Sequence, residues 1–291
     1  MCGRTACTLA PDEVCRSCCT LTVDNTGKKL YKAAQWRDHP GNHSYGQSHN
    51  VAPSRFTPVM ISDHHVHGIK RNSEGEEKCS PLHYVIQPMM WGLIPHFHKG
   101  SSAVGHGFKT NNCRIEGIEE KKSYKPSLLK GQRCVVLCDG FYEWESTKGD
   151  KNKQPYFIYA PQPEGVEIWN RKTWDTDDLW SDEEGWKGPQ LLKMAGLFSH
   201  WTSTEGEEIL SYTILTMESG KNFASLHHRI PAILETDEEV QEWLDSGGID
   251  YKTALNNLKR DVELKWHPVS NAVNNSRNQE SDLNNPVSLD K

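Results

Sequence analysis

The sequence predicts an α+β fold: a single domain whose short antiparallel strands close on themselves in a barrel-like core, with a few short helices at its flanks. Three observations carry this. Strand-like segments outnumber helical ones, polar turns rather than helices separate them, and neither an internal repeat nor a Gly-rich phosphate loop marks another architecture. A chain of 291 residues can bury one large core, and one domain is favoured over two small ones.

The strands are read from apolar runs at 57–61, 83–91, 133–138, 141–145, 155–160, 192–198, 211–217 and 262–267. Pro11-Asp12-Glu13 opens a first short helix ahead of Val14. Thr236-Asp237-Glu238-Glu239 forms a capping box before Val240, Trp243 and Leu244, whose spacing is helical, and a third helix covers about 251–260. Residues 38–49, 72–80 and the acidic 174–186 read as surface loops, and 279–291 as a flexible C-terminal end.

Composition excludes several classes. The mean hydropathy is −0.72, and no apolar run approaches the ~20 residues of a membrane span. No apolar leader opens the chain, and nine irregularly placed cysteines point to reduced thiols in the cytosol or nucleus rather than a disulfide framework. Cys15, Cys18 and Cys19 suggest zinc, but no second C-x-x-C or nearby His pair completes a tetrahedral set, so neither a metal nor another cofactor is expected. The net charge of −6 is matched by six acids and no bases within 174–186. Residues 109–133, by contrast, hold seven bases against three acids, a local surface able to bind phosphates or to form a salt-bridged solvated face.

The chemistry begins at Met1-Cys2-Gly3-Arg4-Thr5. Loss of Met1, which is favoured before a residue as small as cysteine, leaves Cys2 with an α-amine and a thiol two carbons apart. The amine titrates near ~7.7–8.0 and the thiol near ~8.5, so both nucleophiles are accessible at neutrality. Such a 1,2-aminothiol condenses with an aldehyde to an imine and then closes a thiazolidine through sulfur. The two groups share one residue, so proximity needs no further fold.

Three more segments bear chemistry. Asn112 and Arg114 lie two apart, on one side of an extended chain, where an amide and a guanidinium can hold a sugar or a phosphate; the same residue types are common in turns. Glu143 follows an apolar strand and is bracketed by Tyr142 and Trp144, surroundings that raise a carboxyl pKa and suit proton transfer. In Leu226-His227-His228-Arg229-Ile230-Pro231 a neutral imidazole and a phosphate clamp sit together, and at most one of the two histidines is expected to face a site.

Met1-Cys2-Gly3-Arg4, Asn50-Val51-Ala52-Pro53, Trp91-Gly92, Asn112-Cys113-Arg114, Asp139-Gly140-Phe141-Tyr142-Glu143-Trp144, His227-His228-Arg229-Ile230-Pro231 and Trp266-His267-Pro268-Val269-Ser270 occur in the order of the SRAP (SOS response-associated peptidase) family. The chain resembles that family over essentially its whole length. The resemblance implies a single SRAP domain, placed at 2–278, that recognises abasic sites in single-stranded DNA, crosslinks to them through Cys2, and works as a monomer on chromosomal DNA at replication forks in the nucleus. It assigns Cys2 as nucleophile, Glu143 and His227 as acid/base and sugar-contacting groups, and Asn112 as site-lining. Arg4, Arg114 and Arg229 become DNA contacts. No segment reads Q-x-x-aliphatic-x-x-aromatic-aromatic, so a sliding-clamp partner is not expected. Two other functions fit parts of the pattern: an N-terminal-nucleophile thiol peptidase using Cys2, and a non-catalytic reader of modified cytosine in DNA.

Overall fold

The structure, a computed structural model, describes residues 2–24, 26–67, 83–145 and 153–289. In chain order the elements begin with β1 (Thr5–Cys7), α1 (Pro11–Ser17), β2 (Thr20–Val23), β3 (Lys29–Lys32), β4 (Gln35–Trp36), β5 (Ser48–Val51) and β6 (Phe56–Ser62). There follow α2 (His64–His67), β7 (Tyr84–Trp91), β8 (Asn112–Arg114), α3 (Lys125–Leu129), β9 (Arg133–Cys138), β10 (Gly140–Trp144) and β11 (Pro155–Tyr159). The remainder comprises β12 (Trp180–Ser181), β13 (Gly185–Trp186), β14 (Leu192–Thr202), β15 (Glu208–Glu218), β16 (Arg229–Pro231), α4 (Asp237–Leu244), α5 (Tyr251–Asn256) and β17 (Lys265–Pro268).

Five of these strands close into a barrel. β6 pairs β7 and β9, β9 pairs β14, and β14 pairs β15, all antiparallel; a parallel pairing of β15 with β7 completes the ring. β8 and β16 hang on β15, and β4 on β7. The barrel strands are apolar because their inward side chains fill the interior and their outward ones are covered by other elements. Every residue of β9 is buried.

A second, open sheet runs β17-β11-β10-β1-β5. The chain passes from the barrel into it at one corner, where Asp139 alone separates β9 from β10. That corner requires Gly140: a Cβ there would stand 2.3 Å from the carbonyl oxygen of Ile158 on β11. β1 has only three residues but is held on both sides, Thr5 facing Phe141 on β10 and Val51 on β5.

The long strands lie within a few residues of where the apolar runs put them, and the three expected helices are α1, α4 and α5. The Thr236 hydroxyl accepts the Glu239 N–H (3.2 Å), whereas the Glu239 carboxylate reaches back to the N–H of Glu235 rather than of Thr236. The acidic 174–186 stretch is more ordered than a loop. Its β12–β13 hairpin is tied by Lys28 to Glu183 (3.1 Å) and by Lys187 to Asp178 (3.2 Å) and Glu184 (2.7 Å). The 72–80 segment lies outside the described residues.

The end beyond residue 278, read as flexible, is packed against the open sheet. Gln279 donates its side-chain amide to the Asn50 carbonyl (3.2 Å), Leu283 and Asn284 are buried, and Val287 N–H reaches the Pro268 carbonyl (3.0 Å).

Candidate active site

Cys2 lies three residues ahead of Thr5, where β1 begins. The Tyr142 N–H donates to the Arg4 carbonyl (2.9 Å), so the chain ahead of β1 continues along β10 toward the strand end that bears Glu143. The Cys2 side chain is only 1% exposed, and the Asn112 side-chain amide donates to its carbonyl. Burial pushes the Cys2 thiol far above its ordinary pKa, and the nearby Glu143 carboxylate adds to the rise. In the sequence Met1 precedes Cys2, so a free α-amine at Cys2 requires removal of Met1.

Glu143 and His227 meet from different sheets. Glu143 lies on β10 of the open sheet, and His227 in the segment entering β16, which hangs on the barrel. His227 Nε2 stands 3.9 Å from Glu143 Oε1, and both side chains are buried. The Arg229 N–H donates to His227 Nδ1 (3.0 Å), which leaves the proton of the neutral ring on Nε2, toward the carboxylate. Nδ1 also lies 3.0 Å from the Arg229 carbonyl, a contact open to the other tautomer. Burial lowers the His227 pKa while the Glu143 carboxylate pulls it back up, so the imidazole is mostly neutral at physiological pH. His228 is exposed.

Asn112 comes from β8, which pairs in parallel with β15, Asn112 opposite Ile214 and Arg114 opposite Thr216. Alternation along this strand puts Asn112 and Arg114 on one side and buried Cys113 on the other. Tyr124 donates its hydroxyl to the Asn112 carbonyl (3.2 Å), fixing the strand that presents the amide. Cys2, Glu143, His227 and Asn112 therefore converge at the seam between the two sheets.

The three arginines have unequal surroundings. Arg114 is exposed. Arg4 is half-buried and donates to Asn50 Oδ1 (2.6 Å) and the Val273 carbonyl (2.9 Å), bonds that tie β1 to the chain's end. Arg229 is buried in a bidentate pair with Glu116 (2.7 and 2.9 Å) and donates to the Thr216 carbonyl (2.8 Å). That pairing holds the Glu116 carboxyl down at about 2. Arg133, counted at sequence level within the basic 109–133 stretch, also lies inside the protein, donating to the Ile249 carbonyl (2.8 Å) with Trp243 beneath its guanidinium.

Two aromatic features have no role assigned from the sequence. Phe97 and Phe108 pack edge to face (ring centroids 5.8 Å apart), each about half exposed, on the segment that leads into β8. Two exposed aromatics close to Lys99 and Lys109 in a polar, Gly-rich stretch are the signal that could have found them. The second is Trp266 on β17, exposed although it belongs to a strand.

Comparison with known proteins gives the family and the fold. Residues 1–276 match the family model for SOS response associated peptidase (SRAP). The chain is 39% identical over 289 residues to the Rattus norvegicus "Abasic site processing protein HMCES", covering 99% of this chain and 77% of that protein. It is 42% identical over 279 residues to the Xenopus tropicalis protein of the same name, covering 96% and 76%. A Bacillus subtilis relative, "Abasic site processing protein YoqW", is 28% identical over 82% of this chain and 86% of that protein. Among solved structures, a Bacteroides thetaiotaomicron protein superposes with a TM-score of 0.58 at 23% identity, over 83% of this chain and 86% of that one, which supports the fold. The chain belongs to the SRAP family.

Proposed function

We propose that the protein processes abasic sites in single-stranded DNA by forming a covalent thiazolidine through Cys2 once Met1 has been removed. The observation that carries this reading is the Glu143–His227 pair standing beside a cysteine at position 2 whose carbonyl Asn112 holds. The names of the relatives, abasic site processing proteins, support the lesion as substrate.

An abasic deoxyribose equilibrates between a closed hemiacetal and a ring-opened aldehyde. In the proposed sequence His227 hydrogen-bonds the sugar ring oxygen through Nε2–H, and Glu143 takes the proton of the C1 hydroxyl and passes one to the ring oxygen as the C1–O bond breaks, leaving the aldehyde and a free hydroxyl. The Cys2 amine adds to the aldehyde carbon, and Glu143 accepts a proton from the amine and returns it to the departing hydroxyl, so that water leaves and an imine forms. Sulfur then adds to the imine carbon while the thiol proton passes to nitrogen, closing the five-membered ring. Asn112 positions the sugar, and Arg114 meets a flanking phosphate. Arg4 and Arg229 serve this interface indirectly, by holding β1 and Glu116. In this reading Phe97 and Phe108, exposed and near Lys99 and Lys109, offer ring faces to bases of a single strand. Such a role places the protein on DNA, in a eukaryotic cell in the nucleus.

A thiol peptidase is the less favoured reading, because burial and Glu143 both hold Cys2 in its protonated form, whereas an amine-first reaction needs no preformed thiolate. The test is incubation of the Met1-free protein with a single strand carrying one abasic site, followed by denaturing electrophoresis. A shifted band is expected with that strand and none with an intact strand. Peptide hydrolysis without a shifted band would overturn the reading.

A further inference from the structure

Trp266 opens a motif to which the reaction above gives no task. On the open sheet, Phe141 faces Ile158 and Ile158 faces Trp266, while Glu143 faces Tyr156. Cross-strand partners and residues two apart share a face, so Trp266 stands on the same side of the sheet as Glu143. The separation is two strands and two residues, about 12 Å from strand spacing and rise. Phe141 and Ile158 are fully buried in the seam, but Trp266 lies on the edge strand where cover runs out, and 37% of its surface is exposed.

Its orientation is set from below. Phe223 packs edge-on against it (centroids 5.9 Å, planes at 89°), Phe223 in turn meets Phe141 (6.2 Å), and the His227 N–H donates to the Phe223 carbonyl (3.1 Å). A large aromatic side chain fixed by neighbours that also position the imidazole, and left uncovered at the rim of the site, is built for a flat partner.

We propose that Trp266 is the stacking platform for the nucleobase next to the lesion, on one side of it. The proposal rests on the reading of the site as one for abasic DNA. An abasic site lacks the base that would stack there itself, so its neighbour loses a stacking partner, and Trp266 supplies one. Because every base has a π-face, this contact recognises the gap without reading sequence.

The test uses single strands with a tetrahydrofuran lesion, which has no aldehyde and so reports binding alone. In separate strands the base on the 5′ or the 3′ side is removed by a second tetrahydrofuran. The wild type should bind about tenfold more weakly when the base is missing on one of the two sides. Trp266→Leu, which keeps an apolar side chain against Phe223 but has no ring, should lose that difference for that side, and Trp266→Phe should retain most of it. A wild type indifferent to both neighbours, or a Trp266→Leu protein with the wild-type preference, would overturn the proposal. In parallel, the wild type is given a true abasic site with all flanking bases present. Absence of an adduct there refutes the functional reading itself, whereas a normal adduct without any neighbour dependence refutes only the role of Trp266.

Discussion

The closed barrel and the open sheet are built from similar strands but differ at their edges. In the barrel β6, β7, β9, β14 and β15 each have a partner on both sides, and β4, β8 and β16 pair what the ring leaves of β7 and β15. The open sheet ends at β5 and β17, and it carries Arg4 and Glu143, with Cys2 just ahead of β1 and Trp266 on its rim. From the barrel side come only groups on appended pieces: Asn112 on β8 and His227 ahead of β16, both attached to β15. Rigidity belongs to the ring, and chemistry to the seam where an unclosed sheet lies against it. A group of side chains at such a seam rests on a fixed scaffold.

This contrast can be broken from either side, and the largest effect is expected at Cys2. Cys2→Ala, or a chain whose Met1 is retained, should form no adduct that survives denaturation, as read by intact mass. Glu143→Gln should slow adduct formation by on the order of 10²-fold while leaving affinity for a tetrahydrofuran-containing strand nearly unchanged. If affinity falls as far as rate, Glu143 is a binding group instead.

On the barrel side the arginines should separate. Arg229→Leu leaves Glu116 unpaired, and since Glu116 is half exposed the loss should be about 2 kcal/mol of stability, measured by denaturant unfolding. The pair has its own pH signature. Glu116 is depressed to about 2 from an unfolded value near ~4.3, so its contribution is complete above the latter and is lost as pH falls toward the former. The wild type should therefore lose this increment between about pH 4.5 and 2, and Arg229→Leu should lack that part of the acid transition. Arg114→Glu should leave stability unchanged, weaken DNA binding about tenfold, and reduce the slope of affinity against salt by about one or more. A destabilised Arg114→Glu, or an Arg229→Leu defective only in binding, would reverse these assignments.

What could be read in advance follows from the length of each signal. β9 coincides with the apolar run 133–138, because six consecutive buried residues leave a clear trace. β1 and β8, which position Cys2 and Asn112, have three residues each, too few for any period to show. Candidate groups could be picked out where the signal resides in residue type, as in a cysteine at position 2 or a carboxylate among aromatics, and the structure brings these two together. A role was not legible where it depends on a distant partner. Arg229 looks like a phosphate clamp until Glu116 is beside it, and Arg133 like surface charge until Trp243 and the Ile249 carbonyl enclose it.

The account turns on the order of attack, amine first and sulfur second, and a Cys2→Ser protein freed of Met1 tests it most directly. Its amine should still form an imine with an abasic strand, but oxygen closes the ring poorly. The expected result is little adduct after denaturation, abundant adduct when borohydride is present, and more strand cleavage by β-elimination than with the wild type. A stable adduct from Cys2→Ser without reductant would contradict the thiazolidine, and a protein that binds the strand yet cannot be trapped by borohydride would contradict the amine as the attacking group.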